Sequence, residues 1–196
     1  RIAMIDETYY GTVVVMSDGT VWTLGTYAES TGTYYLGDST SNQRYTVGRI
    51  DLPFGPDTTL SSVSVSQLAC AYSHCLIATS NGSIYGWGDG LNRSIVVNST
   101  ADASTPTLIK SGLTNPRIAA GNGVSYYVDI GSNETGGTVY AWGSNANRRG
   151  IPQAATNPLT TFTAVQDTIA PAVANNIVAI SAGNTHVIAL RADGTL

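Results

Sequence analysis

The sequence predicts an all-β fold, a β-propeller of repeat blades with about three and a half repeats present, an incomplete ring or fragment. Three observations predict it. Turn glycines at Gly19, Gly82, Gly137 and Gly194 recur at spacings of 63, 55 and 57 residues. A period of roughly 50 residues filled with short strands is that of a propeller or array. Around each glycine stands one frame: an apolar pair, a small turn, an apolar strand, a polar-Gly turn, and a strand closing on Gly. No 3.6-residue periodicity is sustained anywhere, whereas two-residue alternation between Gly-rich turns is frequent.

In chain order, Arg1 to Gly25 forms the first copy of the frame. Thr12 to Met16 (TVVVM) is a β-branched run and reads as a buried strand. Ser17-Asp18-Gly19-Thr20 is a hairpin turn in which glycine supplies the positive φ. Val21 to Leu24 is its partner strand. Thr26 to Leu60 is a polar connection holding Tyr27, Tyr34, Tyr35, Tyr45 and Pro53, expected to form loops with at most short strands. Leu68 to Gly88 is the clearest copy, with strands over Cys75–Thr79 and Ile84–Trp87 about the turn at Asn81-Gly82. Leu91 to Pro116 is a second connection, with an apolar strand at Thr105–Ile109. Ile118 to Gly143 repeats the frame with about five extra residues from Gly131 to Thr135. Gly150 to Asn176 connects to Ile177–Leu196, which opens a fourth copy. The units run over about 1–66, 67–116, 117–178 and, in part, 179–196 of one domain spanning 1–196. The chain starts inside one repeat and stops where earlier copies continue, so it reads as a piece of something longer.

Composition narrows the function. Charged residues are 11% of the chain, against about 25% in an average soluble domain. Lys110 is the single lysine, Ser and Thr number 44, and the net charge is −4. With no basic block, a nucleic-acid partner is not expected, because phosphate contacts need clustered Lys and Arg. No apolar run reaches 18 residues, so no membrane span is expected. No Gly-rich phosphate loop precedes a helix, and no nucleophile has a base placed by a motif. Asp89, Asp129, Asp167 and Glu134 are scattered over loops, and Asp18 and Asp193 are turn residues. Neither enzymatic activity nor a cofactor or metal is expected.

The repeated residues resemble the family named for the regulator of chromosome condensation. Ser181-Ala182-Gly183-Asn184-Thr185-His186 is similar to its opening, and Gly137-Thr138-Val139-Tyr140-Ala141-Trp142-Gly143-Ser144-Asn145 to its closing strand. Leu68-Ala69-Cys70 with His74, and Ile84-Tyr85-Gly86-Trp87-Gly88, supply the same parts in the second copy. Pro53 and Pro106 are similar to the family's proline-led strand. The resemblance covers essentially the whole chain, with departures: Gly11 and Val124 occupy the histidine slot, and Leu24 stands where Trp87 and Trp142 stand. It implies a ring of about seven blades, of which this chain carries about half.

Candidate residues are few. His74 and His186 share one repeat position, eight residues before the turn glycine, which favours a structural duty such as bonding a turn carbonyl over a catalytic or metal one. Trp22, Trp87 and Trp142, with Tyr85 and Tyr140, sit at blade-core positions rather than on a sugar-binding face. Tyr34 and Tyr35, in an insert, are freer to bind a ligand. Cys70 and Cys75 flank a four-residue loop between two strands; the spacing suits a disulfide and equally two free thiols. Asn81, Asn92, Asn98 and Asn133 head Asn-X-Ser/Thr sequons, as many as chance supplies; Asn98 and Asn133 fall in inserts where a glycan would be exposed.

The expected function is a non-enzymatic structural or protein-interaction scaffold, secreted and glycosylated. It would lie outside the cell or at its surface as part of a surface layer, appendage or filament, with protein partners that include copies of itself. The alternative, implied by the resemblance, is an intracellular regulator such as a small-GTPase exchange factor or a ubiquitin-pathway scaffold. A third reading is an inhibitor or lectin-like binder that uses the tyrosine loops.

Overall fold

The computed structural model describes residues 1–26, 36–54, 63–146, 155–166 and 175–196. Tyr27, Tyr34, Tyr35 and Asp167 lie outside these residues. The first blade comprises β1 (Ile2–Glu7), β2 (Gly11–Met16), β3 (Val21–Gly25) and β4 (Arg44–Ile50). The second comprises β5 (Val65–Cys70), β6 (His74–Thr79), β7 (Ile84–Gly88) and β8 (Ala103–Lys110). The third comprises β9 (Pro116–Gly121), β10 (Val124–Asp129), β11 (Val139–Gly143) and β12 (Leu159–Ala164). A fourth sheet contains β13 (Ile177–Ala182) and β14 (Val187–Arg191). Within each sheet neighbouring strands are antiparallel and follow chain order. This is the propeller architecture, three four-stranded blades and a two-stranded unit, with β1, β5, β9 and β13 successive neighbours at its centre.

The repeat frame acts through two recurring turns. Between the first and second strands, Thr8 N donates to Gly11 O, Ala71 N to His74 O, and Gly183 N to His186 O, at 2.7–2.9 Å. Between the second and third strands, Gly19 N donates to Met16 O, Gly82 N to Thr79 O, and Gly194 N to Arg191 O. Asp18 and Asp193 complete the latter turns by accepting from the amide and hydroxyl of Thr20 and Thr195. Those bonds, the threonine hydroxyl first, hold both carboxyls below the usual aspartate range.

Three apolar layers lie between the sheets rather than within any one of them. Val13, Val15, Cys75, Ile77 and Trp87 meet between the first and second blades. Leu76, Ala78, Tyr127 and Trp142 meet between the second and third. Tyr126 and Val128 face Val187 and Ala189 between the third and fourth. Alternate residues of each second strand therefore face opposite neighbours, as a pleat of period two requires. At the end of the run the same positions are open. Leu76, Ala78, Tyr126 and Val128 are each 0% exposed, whereas their counterparts Ile188 and Leu190 are 48% and 36% exposed. Lys110 adds an outer clasp, its ammonium over the rings of Tyr127 and Phe162 at 5.6 and 5.3 Å.

Two expectations need correction. The first connection was expected to hold at most short strands, yet Arg44–Ile50 is a seven-residue strand. It lies before Pro53, so Pro53 does not lead it, and Pro106 sits inside β8 rather than ahead of it. A fourth strand faces solvent on its outer side, so it needs little apolar signal. In β4 only Ile50 is fully buried.

Candidate functional site

The inner strands β1, β5, β9 and β13 are each the edge of their own sheet. Their unpaired ladder groups must be satisfied by side chains or solvent. Two such bonds tie successive blades: Cys70 N donates to Asp6 Oδ2, and Ile118 N to Gln67 Oε1, both at 2.8 Å. The strands line an open cleft of about 570 Å³, to which Asp6, Gln67 and Ser181 contribute polar groups.

At one end, the turns from first to second strand converge around a groove of about 320 Å³. Glu7, Tyr9, Tyr72, Asn122 and Asn184 are among its walls, contributed by all four repeats. Tyr9 and Tyr72 stack, with centroids 5.0 Å apart and planes 29° apart, and Tyr10 stands edge-on to both. The two turns are also pinned by backbone, Tyr9 N donating to Tyr72 O at 3.1 Å. Tyr9 is nevertheless 72% exposed and Tyr72 45%. Sequence reasoning missed this pair. The signal was available: each tyrosine is the second residue after an inner strand, at one position of the repeated frame.

His74 is wholly buried between the second and third blades. Its Nε2 is 2.8 Å from Ser125 Oγ, and the Ser125 hydroxyl donates to Ser94 O at 2.7 Å. The imidazole is thus held by a hydroxyl of the next blade, with a carbonyl one bond further on. His186, its repeat counterpart, is exposed. Burial pulls the pKa of His74 down from 6.5 to about 4. The unfolded chain takes a proton on this histidine below about pH 6.5, and the folded chain does not until about pH 4. Its contribution to stability is therefore present above pH 6.5 and is lost as the pH falls from 6.5 to 4, at most about 3 kcal/mol. Asp129 behaves differently. Burial works to raise its pKa, but the amides of Asn115, Thr114 and Gly131 outweigh it, so the carboxyl lies below 3.8. Its contribution is lost only at more acid pH. In urea titrations across pH 4–7, His74→Gln should flatten the slope between pH 6.5 and 4; an unchanged slope would count against this assignment.

The remaining candidates fall into place by repeat position. Trp87 and Trp142 are fully buried and Trp22 is half-buried. Tyr85 and Tyr140 are half-buried, and Tyr140 stacks on Tyr127 at 5.2 Å. Cys70 and Cys75 are direct register partners, with sulfurs 2.11 Å apart. Asn81, Asn98 and Asn133 are exposed, whereas Asn92 is half-buried with its amide against Gly123. Among the described residues no three His, Cys, Asp or Glu side chains gather as metal ligands would.

Comparison with known proteins agrees with this frame. Residues 65–93, which span β5 to the end of β7, match the regulator of chromosome condensation (RCC1) repeat. The Arabidopsis thaliana protein RUG3, described as a mitochondrial RCC1 domain-containing protein, is 26% identical over 76% of this chain and 34% of its own length. Protein pim1 of Schizosaccharomyces pombe is 28% identical over 93% of this chain and 32% of its own. The chain thus spans about a third of the length of these two relatives. Yeast RCC1 (Prp20), solved bound to Kap60, superposes with a TM-score of 0.73 at 22% identity, covering 98% of this chain and 42% of that one. Human WBSCR16 superposes with a TM-score of 0.71 at 19% identity, covering 97% of this chain and 45% of that one. Residues 65–93 thus carry an RCC1-type repeat, and the chain as a whole shares the propeller fold of the RCC1 structures.

Proposed function

We propose that this chain is a non-enzymatic protein-interaction module of the intracellular-regulator type, and that the axial groove bearing Tyr9 and Tyr72 is its binding surface. The observation that carries the reading is the rim itself. Turns from four repeats meet there, and two exposed aromatic rings are fixed beside a groove. Exposed, immobilised tyrosines are characteristic of protein-binding hot spots. The relatives support the regulator class. Prp20p of Saccharomyces cerevisiae is described by its binding properties to Gsp1p and histones, and a further relative is a probable human E3 ubiquitin-protein ligase, HERC6. The mitochondrial description of RUG3 favours an intracellular site over a surface layer or filament.

The test is co-purification from the source cells using the intact protein. Tyr9→Ala combined with Tyr72→Ala should reduce at least one bound protein by tenfold or more. Tyr45→Ala, on the outermost strand of the first blade, should leave the set intact. An unchanged set in the double variant would overturn the axial reading.

One observation favours the secreted, glycosylated scaffold as a second reading: the facing pair Cys70 and Cys75, since bridged pairs persist in oxidising compartments. Intact-mass and glycopeptide analysis of native material separates the two. The intracellular reading expects bare asparagines at 81, 92, 98 and 133. Sugar on Asn133 or Asn98, with the cysteines bridged, would replace it with the extracellular one.

A further inference from the structure

We propose that the axial rim captures an arginine side chain of its protein partner, the guanidinium stacking on Tyr9 and pairing with Glu7. This rests on the rim being the interaction surface, and it adds the chemistry of the partner. Three observations carry it.

The ring of Tyr9 is already held. Tyr72 covers one face at 5.0 Å, Tyr10 braces an edge at 5.0 Å, and the Tyr9 amide is bonded to Tyr72 O. A ring fixed before binding loses little rotamer freedom when a ligand arrives. With 72% of Tyr9 exposed, there is room for a second flat group on the stack.

Among the described residues that line the groove and the cleft beside it, the charge has one sign. Asp6 and Glu7 are the only charged ones among these described residues. Asp6 already accepts from the amides of Cys70 and Glu7. Glu7 is exposed and accepts no hydrogen bond from the described residues. A carboxylate and a π-face lining one groove attract a cation by two routes, Coulombic and quadrupolar. The chain's net charge of −4 adds to the attraction.

The cation is arginine rather than lysine, because a planar guanidinium stacks on a ring while its edge bonds a carboxylate. An ammonium does one or the other. An anionic ligand would meet Glu7 unpaired, and a neutral one would leave its charge unused.

The probe is an N-acetylated, C-amidated Gly-Arg-Gly peptide titrated into the intact protein and followed by tyrosine fluorescence. Its citrulline counterpart keeps the plane and loses the charge. The arginine peptide should bind at least fivefold more tightly than the citrulline peptide. Tyr9→Ala should weaken arginine binding by roughly 3- to 10-fold, and Glu7→Gln by about threefold with a shallower salt dependence. Both positions are exposed, and a single cooperative thermal transition in each variant should show that it remains folded. Equal binding of the two peptides would overturn the proposal. So would arginine binding that neither substitution alters, or binding of a neutral oligosaccharide such as maltohexaose with no response to the peptide. The two readings fail separately. A partner lost in the Tyr9→Ala, Tyr72→Ala double variant, with no arginine-peptide binding, leaves the axial surface standing and removes only the arginine. An unchanged partner set removes both.

Discussion

Trp142→Ala should destabilise the protein by about 4–5 kcal/mol, the largest effect expected of any single side-chain truncation here. The indole is fully buried between the second and third blades. It meets Phe162 edge-on at 5.4 Å and Tyr127 at 6.1 Å. Truncating a buried Trp costs about 3–5 kcal/mol through lost transfer energy and the cavity left behind. The indole N–H also donates to Ile95 O at 3.1 Å, and the carbonyl would lose that partner in a dry site. Trp22 is the control. It is half-buried, and its indole N–H donates to Thr20 Oγ1 in its own turn, so Trp22→Ala should cost about 1–2 kcal/mol. Urea midpoints of the two variants test the difference. Equal shifts would mean that the layers between blades do not carry the stability.

Gly88→Ala should cost about 3 kcal/mol although it adds a single methyl group. The backbone there has φ of +112°. A Cβ would stand 2.4 Å from Ser73 O and 2.8 Å from the His74 Cα. These are backbone atoms, and the carbonyl is held in place by the Asp89 amide at 2.9 Å. Strain at such a φ and the overpacking each cost about 1–3 kcal/mol. The same collision recurs at Gly25 against Tyr10 O and at Gly143 against Gly123 O. The glycine that closes each copy of the frame is therefore required by the chain crossing beneath it. Gly19→Ala separates the two causes, because φ there is +83° but nothing lies within 4 Å of the added carbon. It should cost about 1 kcal/mol. If both variants melt alike, steric closure is not the reason for the repeated glycine.

Much of the blade was legible because the frame repeats. β2, β6 and β10 are apolar runs that each end at a Gly-bearing turn, so their strands followed from pattern, and the core positions of Trp87 and Trp142 followed from their recurrence. The fourth strands were less legible. RYTVGRI forms β4 with a single fully buried residue, and its alternating apolar side chains, Tyr45 and Val47, face solvent rather than a core. Its place is set by pairing with β3, through Val21 to Ile50 and Trp22 to Arg49, which no local signal announces. His74 was read as a structural residue, but its partner Ser125 lies 51 residues away on the next blade. The rim was hidden for the same reason. Tyr9 and Tyr72 are 63 residues apart in sequence and touch only because neighbouring blades bring equivalent turns together. Tyr34 and Tyr35, which lie in an insert, drew attention instead.

Site-specific photo-crosslinking tests the axial surface most directly. A benzophenone amino acid replaces Tyr9 in one sample of the intact protein and Tyr45, 84% exposed on the outer strand β4, in another. Irradiation in the source cells should join a protein partner at position 9 and not at position 45. The crosslinked peptide of that partner should carry an arginine. Crosslinks at position 45 with none at position 9 would place the interaction on the outside of the blades and contradict the axial site.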